Sequence, residues 1–216
     1  MSNDNNDKSI ESLIGALTEE LKPVERTKHP LFYALPWLAI AGFFAFFVVE
    51  YVGVRHDVAE KLRDSVFLFE NIVIAALGIV SVIASAYLMI PDMRGKKWLL
   101  SVSFTLAVIF VLWNIVKAFS DGLHLPHLRF DHCMKEGLFV AFIPMMALIF
   151  FMRSGSTTKP LIMAFMNIFA GASIAYISLR FTCSMDTVGH STVMHLTPYV
   201  VIGSVLGLLA RRFYKW

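Results

Sequence analysis

Apolar residues fall along this chain in six runs separated by short polar stretches, and the length of each run constrains what it can be. Three runs, Phe32–Val54, Val66–Ile90 and Trp98–Ala118, reach the roughly 20 apolar residues a helix needs to cross a hydrocarbon core of about 30 Å. Three more are Gly137–Met152, Leu161–Leu179 and Val193–Ala210. The fourth run is short and carries Pro144 in its middle, which predicts a kink or a local thinning of the bilayer. Strands are excluded by the length of the runs, and helices are the only open-ended structure that satisfies every backbone amide in lipid. The expected fold class is therefore all-α, a polytopic membrane bundle of six transmembrane helices. It occupies residues 31–216, with spans near 32–54, 66–90, 98–118, 137–152, 161–179 and 193–210.

Residues 1–30 form a polar tail with a pattern of its own. Ile10, Leu13, Ile14, Leu17 and Leu21 recur at the spacing of one helical stripe, while Glu11, Ser12, Glu19 and Glu20 fall elsewhere. A short amphipathic helix over 9–22 follows, with Ser9 as its N-cap and Pro23 stopping it after Lys22. Helices that lie on a membrane surface normally turn lysine and arginine toward anionic lipid. This one is acidic, which favours docking into a groove on a protein partner through Ile10, Leu13, Ile14, Leu17, Leu21 and Pro23.

Composition changes the picture in two places. Hydrophobic residues make up 57% of the chain and charged residues only 16%, so most of the surface is expected to meet lipid, since a soluble domain carries roughly a quarter charged residues. The net charge of +3 comes from lysines and arginines at the ends of the apolar runs, a placement that orients a membrane protein and excludes a nucleic-acid-binding stripe. Twelve basic residues fall in the tail, the second and fourth connections and the C-terminus. Six fall on the other side: Arg55, Lys61, Arg63, Arg129, Lys135 and Arg180. That bias predicts both ends on the cytoplasmic side. No basic stretch precedes a short apolar segment, so no cleavable signal peptide is expected. The pairs Gly171-x-x-x-Ala175 and Gly203-x-x-x-Gly207 are read as close helix contacts within the bundle.

Candidate chemistry gathers on the outer side. The two cysteines, Cys133 and Cys183, fall in the second and third outer connections, beside six of the seven histidines: His56, His124, His127, His132, His190 and His195. Three readings stay open. One is a structural disulfide, which needs Cα atoms about 4–7 Å apart, and another is a thiol pair that switches with redox state. The third is a metal site built from Cys133 and Cys183 with some of His132, His190 and His195, a donor set that suits thiophilic ions. No C-x-x-C or H-x-x-x-H pair marks such a site, so no ligand set is assigned from the spacing. Polar residues inside the spans, namely Glu50, Glu70, Asn71, Asn114, Lys117 and Asn167, lie mostly near helix ends and read as snorkelling or helix-to-helix contacts. Neither a deep histidine for haem nor a cysteine motif for quinone chemistry is present, so no enzyme activity and no cofactor are expected. A thiol-based membrane redox protein and a small metal transporter are the alternative functional classes, and neither gives the acidic tail helix a role.

The tail segment Leu13-Ile14-Gly15-Ala16-Leu17-Thr18-Glu19-Glu20-Leu21-Lys22-Pro23-Val24 resembles the opening of the NrsF family. The resemblance continues through six predicted helices, one cysteine between the third and fourth, and a second in Cys183-Ser184-Met185-Asp186. It ends at the basic aromatic terminus from Gly207 to Trp216. One departure stands out: Ser184 and Met185 replace the proline and acidic residue usual after the second cysteine. What the resemblance implies is a bacterial inner-membrane anti-sigma factor. Its tail would hold an extracytoplasmic-function sigma factor at the membrane, and a periplasmic stress sensed through Cys133 and Cys183 would release it. The implied partners are that sigma factor and the lipid bilayer, with no direct nucleic-acid contact.

Overall fold

The computed structural model describes residues 3–19, 28–120, 132–152, 155, 157–196, 198–199, 201–205 and 209. All regular structure among them is helical. Helix α1 spans Asn3–Glu19 and α2 spans Leu31–Val52, followed by a single turn, α3, at Val58–Lys61. Then come α4 (Ser65–Leu88), α5 (Trp98–Ser120), α6 (His132–Met152), α7 (Pro160–Thr182) and the short α8 (Val188–His195).

Helices α2, α4, α5 and α7 are each long and apolar enough to cross a membrane, and coincide with the first, second, third and fifth predicted spans. The fourth predicted span is the apolar part of α6, Gly137–Met152. The sixth is described only in part: its first three residues close α8, and residues 201–205 are helical. This is a membrane protein, and its outer faces agree with that. Phe43, Phe46 and Phe47 of α2 and Val108, Val111 and Leu112 of α5 are all more than half exposed, as lipid-facing side chains are.

Local chemistry sets the helix ends. Asp64 caps α4 by accepting the Val66 amide at 2.9 Å. Gly53 closes α2 with φ +101°, a conformation that favours glycine, while its amide still bonds Val49. Pro160 occupies the first turn of α7, where its missing N–H costs nothing. Helix α1 begins six residues ahead of Ser9, which is therefore interior and not the cap. Leu21 and Pro23 lie outside the described residues. Arg180 and the two residues after it continue α7 past the predicted end at Leu179, because the Arg180 side chain finds partners inside the bundle.

Helix α7 is the central element. Its Ser173 lies against Gly78 of α4 so closely that a Cβ on Gly78 would sit 2.8 Å from that of Ser173. On another side Gly171 admits Met145 of α6, whose methyl carbon would be 3.1 Å from an added Cβ. Ala175 packs with Val140 of α6, so the Gly171–Ala175 pair serves a contact within the chain. Gly203 likewise lies against Ile168 of α7, where a Cβ would fall 2.6 Å from the nearest side-chain atom. Two polar bonds join helices through the apolar interior. The Trp37 indole donates to the Pro144 carbonyl at 2.9 Å, and the Ser85 hydroxyl donates to Asn167. At one end of the bundle His29 meets Tyr87 edge to face at 6.1 Å, and Met89 abuts Gly155. The start of α2, the end of α4 and the segment after α6 therefore share that end.

Replacing Gly78 with leucine is expected to force α4 from α7 and cost about 1–3 kcal/mol. Gly42 faces open space, and Gly42→Ala is expected to be neutral or slightly stabilising. Thermal unfolding of the two variants in detergent checks the contrast.

Candidate functional site

At the opposite end of the bundle, charged side chains from six segments form one network. Arg180, in the last turn of α7 and 4% exposed, reaches Glu70 of α4 with Nη2 at 3.1 Å and Asp186 with Nη1 at 2.7 Å. Glu70, 1% exposed, also accepts from Lys117 Nζ in the last turn of α5 and from the Trp113 indole at 3.0 Å. Arg55, just beyond α2, is buried as deeply as Arg180. Its Nε and Nη2 form a fork on the Asp57 carboxylate at 2.6 and 2.8 Å, and its Nη1 and Nη2 bond Asp186 at 3.0 and 2.8 Å. Lys61 of α3 adds a contact to Asp186 at 2.8 Å. Both guanidiniums lie over the Phe67 ring, Arg180 at 4.9 Å from its centroid and Arg55 at 5.9 Å.

Four cations thus face three carboxylates. In apolar surroundings such charges are tolerable only when each has partners, which is why the network is continuous. Burial alone would raise the Asp186 carboxyl. Hydrogen bonds from Arg55 and Lys61 and the nearby Arg180 charge outweigh that and hold it well below the usual carboxylate range. Asp57 is lowered to about 2, chiefly by its bond from Arg55. Lys61 is raised by its bond to Asp186.

This network contacts the second cysteine directly. Arg55 Nη1 donates to the Cys183 carbonyl at 3.0 Å, and the Arg55 amide donates to the Phe181 carbonyl at the same distance. Cys183 is the C-cap of α7. Its sulfur lies 3.5 Å from His190 Nε2, and the His190 and His195 rings stand edge to face with centroids 5.2 Å apart. The ligand atoms of Cys183, His190 and His195 all lie within 4.8 Å of one another, and all three residues are buried.

Of the residues singled out in the sequence, Cys183, His190 and His195 are therefore brought together. Cys133 and His132 stand in the first turn of α6, and their side chains lie outside the described residues. On α1, Ile10, Leu13, Ile14 and Leu17 are between 49% and 60% exposed, so this stripe has no full cover among the described residues. The sequence reading missed the charge network. Arg55 and Arg180 were counted as outer-loop charges, yet both are buried and paired. Glu70 and Lys117 are helix-to-helix contacts of the kind expected, as is Asn167. A carboxylate and an amine inside separate apolar runs were the available signal, and Asp186, three residues after Cys183, was the other.

An all-helical membrane protein with a buried charge cluster beneath a cysteine–histidine pocket is the class this arrangement defines. The family model described as NrsF, negative regulator of sigma F, matches residues 17–216. The chain belongs to that family, whose members are negative regulators of a sigma factor. No curated protein and no solved structure matches it.

Two outcomes follow from the network. Glu70→Gln leaves the buried Arg180 and the part-buried Lys117 short of a counter-charge and is expected to cost about 3–5 kcal/mol. Lys61→Ala, at a partly exposed pair, should cost about 0–1 kcal/mol, and chemical denaturation in detergent separates the two. The folded-state lowering of Asp186 contributes stability above the unfolded carboxylate value of about 4 and loses it as pH falls through the folded value. The raised Lys61 contributes below about 10 and loses it as pH rises further. The thermal difference between wild type and Asp186→Asn is therefore expected to be level between about pH 4 and 10 and to shrink outside that window.

Proposed function

We propose that this protein is a bacterial inner-membrane anti-sigma factor with six spans and both ends in the cytoplasm. It acts by binding and not by catalysis. Residues 1–30 act as the tail that captures an extracytoplasmic-function sigma factor, and residues 31–216 form the membrane domain. Docking uses the stripe of Ile10, Leu13, Ile14, Leu17 and Leu21, with Pro23 ending the contact. The observation that carries this reading is the family match together with an acidic helix whose apolar residues stand exposed. The inward bias of basic residues supports the orientation.

Release is triggered by a periplasmic stress that changes Cys133 and Cys183. The route inward runs through Arg55, which holds the Cys183 carbonyl and Asp186 at one end of α2, while the tail precedes the other end. A change at Cys183 that displaces this loop shifts Arg55, and with it α2. A difference of about 3 kcal/mol in sigma affinity between two bundle packings changes occupancy about 150-fold.

The test is a detergent pull-down from the native host with three forms of the full protein: wild type, one lacking residues 1–24, and Leu17→Glu. A sigma factor is expected with wild type alone, and treatment with oxidant is expected to release it unless Cys183 is replaced by serine. Recovery of the sigma factor with Leu17→Glu at the wild-type level would refute docking through the stripe. Equal release from Cys183→Ser would refute the thiol trigger.

A further inference from the structure

We propose that Cys183, His190 and His195 form a binding site for one divalent cation of the zinc class. The donors are right for it: one thiolate and two imidazoles make a borderline-soft set that zinc favours over magnesium or calcium. The geometry is close to the bound form. In a tetrahedral zinc site with Zn–S near 2.3 Å and Zn–N near 2.0–2.1 Å, neighbouring sulfur and nitrogen ligands are about 3.5 Å apart. Cys183 Sγ and His190 Nε2 already stand at 3.5 Å, and the third donor is within 4.8 Å of both. A modest rotation of His195 completes a three-ligand face.

A second and independent observation is His195 itself. It is 1% exposed, and among the described residues no nitrogen or oxygen atom bonds its ring, whose polar partner is the Cys183 sulfur. A buried imidazole is ordinarily satisfied at its nitrogens, so a ring that finds only a thiol and a second imidazole beside it calls for a ligand. Tyr176 packs edge to face on the His195 ring at 6.2 Å and donates nothing to it, which leaves the nitrogens available. All three residues are candidates in the sequence, but their spacing alone assigns no ligand set. The histidines are five residues apart and not the usual four, and only the turn after α7 folds Cys183 back beside them.

Charge is compatible with a cation. On binding, the Cys183 thiol gives up its proton to water and its sulfur coordinates the ion, so one positive charge of the metal is cancelled. The nearby Arg55 and Arg180 are already covered by Asp57, Asp186 and Glu70. The site has a mechanical outlet as well, since the Cys183 carbonyl is held by Arg55. That consequence rests on the reading of Cys183 as the sensing thiol, whereas binding of the ion does not.

The experiment uses full-length protein in detergent micelles, stripped with a chelator and titrated with Co²⁺ as a spectroscopic stand-in for zinc. One Co²⁺ per chain is expected, with a thiolate-to-cobalt charge-transfer band in the near ultraviolet that Zn²⁺ abolishes by displacement. The band should be absent in Cys183→Ser. His190→Ala and His195→Ala should each weaken binding by more than about tenfold, because loss of even an outer-shell partner costs about 10–100-fold. Far-ultraviolet circular dichroism checks that each variant is folded. Wild-type protein alone suffices for refutation: no charge-transfer band overturns the site whatever the variants do, and a band that survives Cys183→Ser overturns it by placing the ion on other ligands. Repeating the sigma pull-down with Zn²⁺ and with chelator keeps the two readings apart. Ion binding without any change in sigma retention upholds the site and removes its signalling role, while release that depends on Cys183 without ion binding does the reverse.

Discussion

Arg180 cannot be left alone where it lies. A guanidinium at the end of a transmembrane helix, almost wholly buried, has to be met by carboxylates, and those carboxylates need further cations of their own. Glu70, Lys117, Asp186, Arg55, Asp57 and Lys61 are the result, and they bind α4, α5, α7 and the segment after α2 into one end of the bundle. In lipid, apolar faces alone give helices no strong reason to choose one neighbour over another, because lipid tails are as apolar as leucine. A shared ionic cluster with close glycine contacts at Gly78 and Gly171 gives them that reason.

The same cluster supports the pocket above it. Asp186 is held by three cations, Arg55 grips the Cys183 carbonyl, and the short connection between α7 and α8 is thereby set so that His190 and His195 fall beside the sulfur. The Ser184 and Met185 side chains are exposed. The acidic residue that matters structurally in this stretch is Asp186. A chemical event at the pocket is thus one hydrogen bond from α2, the helix that follows the tail.

Much of the architecture was legible because membranes impose a length rule. The runs that became α2, α4, α5 and α7 were recognisable within a few residues, since a helix that must span about 30 Å has little freedom in its extent. Helix ends were less legible where a charge was absorbed instead of exposed. Arg180 looked like the start of a loop, and the one-turn helix at Val58–Lys61 and the first five residues of α8 lay hidden within stretches read as loops. Helix α1 starts earlier than Ser9, the cap expected from the sequence.

The sequence by itself thus determined the helical class and the membrane setting, because each depends on patterns within single segments. Only the tertiary structure decided which polar residues meet. Glu70 and Arg180 are 110 positions apart and Arg55 and Asp186 are 131 apart, and nothing local in either pair announces the other. Their pairing depends on the order of helices around the bundle, which is a property of packing and not of any single segment. Cys183, His190 and His195 are close in the chain, yet their convergence too was decided by the fold, since the turn that joins them is held in place by Arg55 from the far side of the sequence.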